Sequence, residues 1–350
     1  MVGPDGVLPL PWLEEPLRLT LLTRRAHALL VHGPQGVGQF ELALTLAQAW
    51  LCDAPDEPQA KSKPCGVCAS CKLVQSRSHP DLLVVLPEAL RDSLGWSNDA
   101  QGDDSAAEKN SKTKPSKEIK VEAVRAVVAF AQTTAARGRG KVVVMHPAER
   151  MNAISANTLL KTLEEPPGDA RFVLSCAIPD SLLPTIRSRC QAAPLAAPRS
   201  EQALAWLVGK GVEHAEVLLR ATGGQPLEAL DWSRHGVDAE HWLRLPALVA
   251  RGEAAALTGW PLPRLVNALQ KLCHDALCVA VGALPRYFPA SELGQAAGVI
   301  PLTDWARSLT GAAQHAEHPW HAGLMTEALI HQGQRALSKA AAASRAKPGV

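Results

Sequence analysis

Gly33-Pro34-Gln35-Gly36-Val37-Gly38-Gln39-Phe40, directly behind the apolar run Ala28-Leu29-Leu30-Val31, carries the glycines of a phosphate-binding loop without its working side chains. Where the G-x-x-x-x-G-K-[ST] pattern supplies a lysine for the β/γ-phosphates and a hydroxyl for Mg²⁺, this chain has Gln39 and Phe40. Gln39 is uncharged and Phe40 cannot ligate a metal. Gly33, Gly36 and Gly38 still suit a tight strand-to-helix turn, and Phe40, Ala43, Leu44 and Ala47 recur at helical spacing, so the following helix buries one face. An ordinary glycine-rich βα turn is the plainer reading of the same residues.

Further apolar, β-branched runs at Leu82 to Leu86, Val142 to Met145 and Phe172 to Leu174 alternate with helical patterns. One helix has Val121, Val124, Val128 and Ala131 on a face; another has Ala156, Leu159, Leu160 and Leu163 and stops at Pro166-Pro167. Continuous apolar strands alternating with helices predict an α/β fold with a parallel sheet covered on both faces, of the nucleotide-binding type. The strand Lys141 to Met145 runs into His146-Pro147-Ala148-Glu149, where a nucleotide-hydrolysing domain has acids that hold Mg²⁺. Glu149 lies too far along to sit at the strand tip, and His146 reads as a neutral strand-end residue. Both halves of the Mg²⁺ site are missing, and no working ATP or Mg²⁺ site is expected. Arg189, in Ile186-Arg187-Ser188-Arg189-Cys190, remains: a rigid fork of donors that is either solvated or able to stabilise a phosphate held by a neighbouring subunit.

Cys65-Gly66-Val67-Cys68-Ala69-Ser70-Cys71 places three thiols in one tight turn, and Cys52 stands upstream at the end of the preceding helix. Four sulfurs predict a closed, structural zinc site, with a metal cross-linking the polar loop Asp53 to Lys63 that has no core of its own. His79 is an alternative to Cys52 as fourth ligand, although Pro80-Asp81 gives it a turn role instead; unrelated free thiols are the plainer reading of the whole set. Cys176, Cys190, Cys273 and Cys278 lie in apolar contexts and read as core residues.

With 350 residues, 47% of them hydrophobic, the chain is long enough for two or three globular domains. A net charge of +2 supplies no global attraction to nucleic acid. The N-terminus lacks the features of a signal peptide and no apolar run is long enough to span a bilayer, so a cytoplasmic protein with reduced thiols and no membrane association is expected. From about 92 to 117 the chain is Asn, Asp, Ser, Gly and Lys with hardly an apolar residue, which predicts a disordered insertion. Short helical segments after Pro198, punctuated by Gly223-Gly224, suggest a helical lid, and the pattern from Asp238 to Ala340 is helical, with Trp242, Trp260, Trp305 and Trp320 as packing anchors. The divisions expected are 1–168 for the sheet domain with its zinc module at 52–71, 169–237 for the lid, 238–340 for a helical oligomerisation domain and 341–350 for a fraying tail.

Leu159-Leu160-Lys161-Thr162-Leu163-Glu164-Glu165-Pro166-Pro167 and Ser188-Arg189-Cys190, together with the degenerate loop, resemble the signature of the bacterial clamp-loader ATPases of the AAA+ superfamily. The resemblance covers nearly the whole chain, is strongest from Ala28 to Cys190, and is only architectural in the helical C-terminal part. It implies that Cys52, Cys65, Cys68 and Cys71 match the family's zinc cysteines and that Arg189 matches its trans-acting arginine. Near Gly224-Gln225-Pro226-Leu227 the family's nucleotide-sensing lid arginine is replaced by Leu227. The resemblance further implies a non-hydrolysing subunit of an open heteropentamer of the DNA polymerase III holoenzyme. There it would sit with gamma/tau and delta subunits, the helical domains forming a collar, to load the sliding clamp on primed DNA. Two other readings remain. An active ATPase working without the lysine is opposed at once by Gln39, Phe40, His146 and Pro147, and a zinc-dependent nucleic-acid module would need aromatic residues among Lys61, Lys63, Lys72 and Arg77.

Overall fold

Five strands pair in parallel in the order β2-β3-β4-β1-β5: β1 Ala28–His32, β2 Leu82–Val85, β3 Val142–Met145, β4 Arg171–Cys176 and β5 Gln191–Pro194. The computed structural model describes residues 1–22, 26–55, 63–96, 115–237, 239–257, 259–294, 298–315 and 321–338, and the chain divides into two compact units, Met1–Gln202 and Ala203–Val350. The sheet belongs to the first unit, with helices α1 Glu14–Leu22, α2 Gln39–Leu51, α3 Ala69–Gln75, α4 Glu88–Arg91, α5 Val121–Gln132, α6 Ala153–Glu164 and α7 Pro184–Arg187.

The central strands are buried on both faces, which is why they read as unbroken apolar runs. Leu30, Val143, Met145, Phe172 and Leu174 share a core with Val124 and Val127 of α5 and with Leu159 and Leu163 of α6. Leu29, Val31, Val144 and Val173 are buried too, in strands that pack against α2. Register places Val31 beside Ser175 and Leu29 beside Gln191, so β1 lies between β4 and β5 and delivers the glycine loop to the carboxyl ends of its neighbours. β5 has no apolar alternation, since three of its four residues are exposed at the sheet edge.

Two expected divisions are corrected. The cut at 168 falls just before β4, which pairs with both β1 and β3, so the sheet closes only with residues from 171 to 194 and the first unit runs on to Gln202. The cut at 237 falls inside one core. α8 Ser200–Gly209, α9 Ala215–Ala221, α10 Pro226–Arg234, α11 Ala239–Arg251, α12 Leu262–Ala280, α13 Val299–Gln314 and α14 Ala322–Leu337 contribute to a single apolar cluster from Ala203 to Ala336. At its centre Trp242 stacks on Phe288 at 4.4 Å and meets Trp232 of α10 at 5.2 Å. Arg220 of α9 donates to the carbonyls of Pro285, Arg286 and Phe288, and the buried Asp275 accepts the N–H groups of Arg286, Tyr287 and Phe288.

The ends of the expected disordered insertion are ordered. Trp96 donates its N–H to the Arg91 carbonyl and lies under the Arg77 guanidinium, and the Ser116 N–H binds the Glu88 carboxylate. Residues 97–114 of that segment, the tail 341–350, Lys61 and Trp320 lie outside the described residues.

Candidate functional site

The glycine loop is closed by its own chain. Gly38 caps α2 with φ 107°, a left-handed conformation, and a Cβ there would come 2.4 Å from Leu10 Cδ1. A Cβ on Gly33 would sit 2.0 Å from the Leu195 carbonyl oxygen, so only glycine lets the chain leaving β1 pass the chain leaving β5. Gln39, at the lysine position, is buried and turns its amide back on the loop, donating to the carbonyls of Gly33 at 2.7 Å and Pro34 at 2.5 Å. Trp12 donates from its indole to the Val37 carbonyl at 2.7 Å. Two of the loop's carbonyls thus take the side-chain amide that replaced the lysine, and a third takes an indole.

The other two lost positions meet. Phe40 at the start of α2 stacks on His146 at the tip of β3, with centroids 4.9 Å apart and planes 27° apart. In a working site those two positions share Mg²⁺; here they share an apolar contact. Burial pushes the His146 imidazole down to about 4, so the ring is neutral at physiological pH. The Ser175 hydroxyl lies 3.0 Å from His146 Nδ1 and 3.3 Å from the Met145 carbonyl, so it bridges the ring to the backbone of β3. Glu149 reaches the end of β4, where it accepts the Ala177 N–H at 2.9 Å.

Cys52, Cys65, Cys68 and Cys71 come together with all four sulfurs within 4.8 Å of one another. Cys52 caps the C-terminus of α2, Cys68 caps the N-terminus of α3, and Cys65 and Cys71 lie on either side of Cys68. The Cys52–Cys68 and Cys65–Cys71 sulfur pairs are 3.9 and 4.0 Å apart. Four sulfurs at about 2.3 Å from a tetrahedral zinc would stand ~3.8 Å apart, so the donor set fits that ion in both chemistry and size. Backbone N–H groups point at the sulfurs: Asp53 and Cys71 donate to Cys68, and Cys68 donates to Cys65. Burial works against charge at Cys65, but the N–H groups of Val67 and Cys68 outweigh it and hold that thiol down to about 7. His79 takes the turn role instead, its Nδ1 accepting the Asp81 N–H at 3.0 Å.

Around the cysteines the polar partners are paired. Asp53 accepts the N–H and hydroxyl of Ser70, Arg137 binds both Ser70 and Asp53, and Arg139 donates to the carbonyls of Asp53 and Ala54. Gly66, at φ 73°, packs so closely on Gly3 that a Cβ would be 2.1 Å from its carbonyl oxygen, and Gln75 donates to the carbonyls of Val2 and Gly66. A second group, His274, Asp275 and Cys278, also gathers three donor atoms, but the Asp275 carboxylate is already committed to three backbone N–H groups. Cys176 and Cys273 are buried and Cys190 packs half-buried against the core of the sheet unit, and burial pushes all three up to about 12; Cys278 is half-buried beside His274.

Arg189 follows α7 and is part-exposed. Its Nε donates to Glu164 at 2.7 Å and its Nη1 donates to the Thr185 carbonyl at 2.8 Å and to the Ser188 hydroxyl at 3.3 Å. The sequence gives no warning of the Glu164 partner, which lies 25 residues earlier, at the end of α6. Leu227 is half-buried in α10.

A profile of the family described as "DNA polymerase III, delta subunit" matches residues 20–199. The chain is 38% identical over 220 residues to DNA polymerase III subunit delta' of Pseudomonas aeruginosa, an alignment covering 61% of this chain and 58% of that relative's length. With subunit delta' of Escherichia coli it is 30% identical over 331 residues, covering 86% of this chain and 90% of the relative. Among solved structures it is similar to a DNA polymerase III gamma subunit-related protein of Thermotoga maritima, with a TM-score of 0.52 over 93% of this chain and all of that one; at 16% identity this likeness concerns the fold. With the profile spanning the sheet unit and the Escherichia coli relative matched nearly end to end, the chain belongs to the DNA polymerase III delta' subunit family, in an AAA+ fold.

Proposed function

We propose that this chain is the non-hydrolysing subunit of a clamp loader of the DNA polymerase III holoenzyme, working in the cytoplasm. Its neighbours would be gamma/tau and delta subunits, and the assembly would place a sliding clamp on primed DNA. The observation that carries this reading is the Phe40–His146 stack, which fills the place of the shared Mg²⁺ ligands. Gln39 adds to it by folding onto the loop carbonyls that flank a bound phosphate. Such a loop keeps the strand-to-helix geometry of the fold while the positions that would ligate Mg²⁺ carry an aromatic contact instead.

Zinc, held by Cys52, Cys65, Cys68 and Cys71, would be structural, since four protein sulfurs leave no coordination position for water. Arg189 would act on a nucleotide held by the adjacent gamma/tau subunit. Support comes from its chemistry and its place: a planar guanidinium suited to bidentate phosphate contact, part-exposed, whose ion pair with Glu164 is of the surface kind that contributes about 0–1 kcal/mol, beside hydrogen bonds to the Thr185 carbonyl and the Ser188 hydroxyl.

The test is Arg189→Ala in a loader reconstituted with its ATPase partners, read as clamp- and DNA-stimulated ATP hydrolysis. Folding and assembly are expected to be unchanged and hydrolysis partly lost, because an arginine supplied in trans accounts for roughly three to five orders of magnitude at the one site it serves. Arg189→Lys is expected to rescue poorly, since it keeps the charge without the fork. Assembled Arg189→Ala loaders that hydrolyse ATP at the parental rate would leave a purely architectural subunit.

A further inference from the structure

The guanidinium edge that a phosphate would need is already occupied. Nε and Nη2 of Arg189 both face Glu164 Oε1, and Nη1 is spent on the Thr185 carbonyl and the Ser188 hydroxyl. The Nε/Nη2 edge is one of the two with which a guanidinium grips a pair of oxygens, and the Nη1 contacts obstruct the other. Glu164 in cis and a phosphate in trans are therefore alternative partners for one set of donors.

The position of Glu164 gives the pairing further meaning. It is the last residue of α6, where the unpaired carbonyls of the helix end disfavour a negative side chain. The guanidinium of Arg189, brought back by β4 and α7, offsets that charge. The two side chains are 31% and 45% exposed, so solvent screens the pair and it can exchange. A polyphosphate outcompetes it because its charge is larger than that of one carboxylate.

We infer that Glu164 is the in-cis competitor for Arg189, a positioning residue that parks the guanidinium until a strongly anionic phosphate displaces it. It makes engagement of Arg189 favour a nucleoside triphosphate over a diphosphate in the neighbouring subunit. This deepens, and rests on, the reading of Arg189 as a trans-acting arginine.

Glu164→Gln keeps the shape and one acceptor oxygen but removes the charge. The experiment uses a reconstituted loader in which the other ATPase sites are disabled at their own phosphate-loop lysines, so that only the site beside this chain turns over. Without clamp or DNA, E164Q is expected to hydrolyse ATP roughly two- to fivefold faster than the parent, the factor that corresponds to losing an exposed ion pair. Inhibition by ADP is expected to tighten by a similar factor, a change that a merely structural role of Glu164 would not produce. In the Arg189→Ala background the same substitution should change neither quantity. If E164Q is parental or slower while Arg189→Ala is impaired, the competitor role is overturned and the trans arginine stands. If the E164Q gain persists without Arg189, the effect belongs to another partner and the inference is equally overturned. A parental rate for Arg189→Ala alone sinks both readings.

Discussion

Gln39, Phe40 and His146 stand where a phosphate-binding domain would carry its lysine, its hydroxyl and its strand-end acid, and each has a partner within the unit. Gln39 hydrogen-bonds the loop that a lysine would have crossed, Phe40 covers His146, and His146 is hydrogen-bonded with Ser175. The cost of burying an imidazole is visible in its titration. Burial holds His146 near 4, whereas an unfolded histidine titrates at about 6.5, so between those values the unfolded chain takes up a proton that the native ring refuses. The sign follows: stability is fully present above about pH 6.5 and falls as pH falls through the window, with a loss of roughly 2 kcal/mol from this group between pH 7 and pH 5. His79, lowered by burial in the same way, contributes to the parental slope as well. Urea unfolding of the parent and of His146→Gln at both pH values isolates the His146 share. The variant should lose about 2 kcal/mol less than the parent on acidification, and equal losses would place the proton elsewhere.

The cysteine module has a small apolar contribution of its own. Its ligand turn opens α3, a seven-residue helix that packs on α2 through the buried Cys71 and Val74, and the rest of its contacts are polar, through Asp53, Ser70, Arg137 and Arg139 on one side and Gln75 with the carbonyls of Val2 and Gly66 on the other. Such an element depends on its cross-link, because metal binding energy is local folding energy. The purified protein is expected to carry one zinc per chain. Cys68→Ser removes the sulfur that accepts two N–H bonds and caps α3, and is expected to abolish stoichiometric zinc and to raise amide exchange across residues 63–75 by at least an order of magnitude. Strands β1, β3 and β4, which have their own apolar core, should keep their protection. Metal analysis with hydrogen exchange decides this. A zinc-free parent with native-like protection of that segment would mean that the polar contacts suffice.

Across the whole molecule the two units are built on different principles. The first is a sheet with helices on its faces, and the second is an all-helical cluster whose largest buried side chain, Trp242, touches Trp232 and Phe288. Lys271 lies over Trp232, Trp242 and Tyr287, tying α12 to the same aromatic group. Since α9 and α10 share this core with α11 to α14, the second unit should unfold as one. Trp242→Ala is expected to cost about 3–5 kcal/mol and to lower hydrogen-exchange protection of 215–234 and 262–280 together, with the sheet unaffected. Loss of protection in only one of those two ranges would restore a separate lid.

How much of this was legible in the chain depends on whether neighbours in sequence or neighbours in space set the feature. β1, β3 and the middle of β4 could be read because central strands buried on both faces are near-continuous apolar runs, β2 because its Leu-Leu-Val-Val run is apolar although it lies at an edge and is half-buried in its middle, and α5 and α6 because one buried face repeats at helical spacing. The four cysteines and the degenerate loop could be read because metal sites and phosphate turns require particular residue types at short separations. β5 could not: an edge strand of Gln191, Ala192, Ala193 and Pro194 is held by its pairing with β1 and carries no pattern of its own. Nor could the unit boundaries, which follow from which strands pair and which helices share a core. The Phe40–His146 stack and the Glu164–Arg189 pair join residues far apart in the chain, and only folding brings each into contact. Local spacing therefore carried the substituted loop positions Gln39 and Phe40 and the cysteine set, whereas the stack on His146 and the partner that holds Arg189 are long-range contacts that no local spacing encodes.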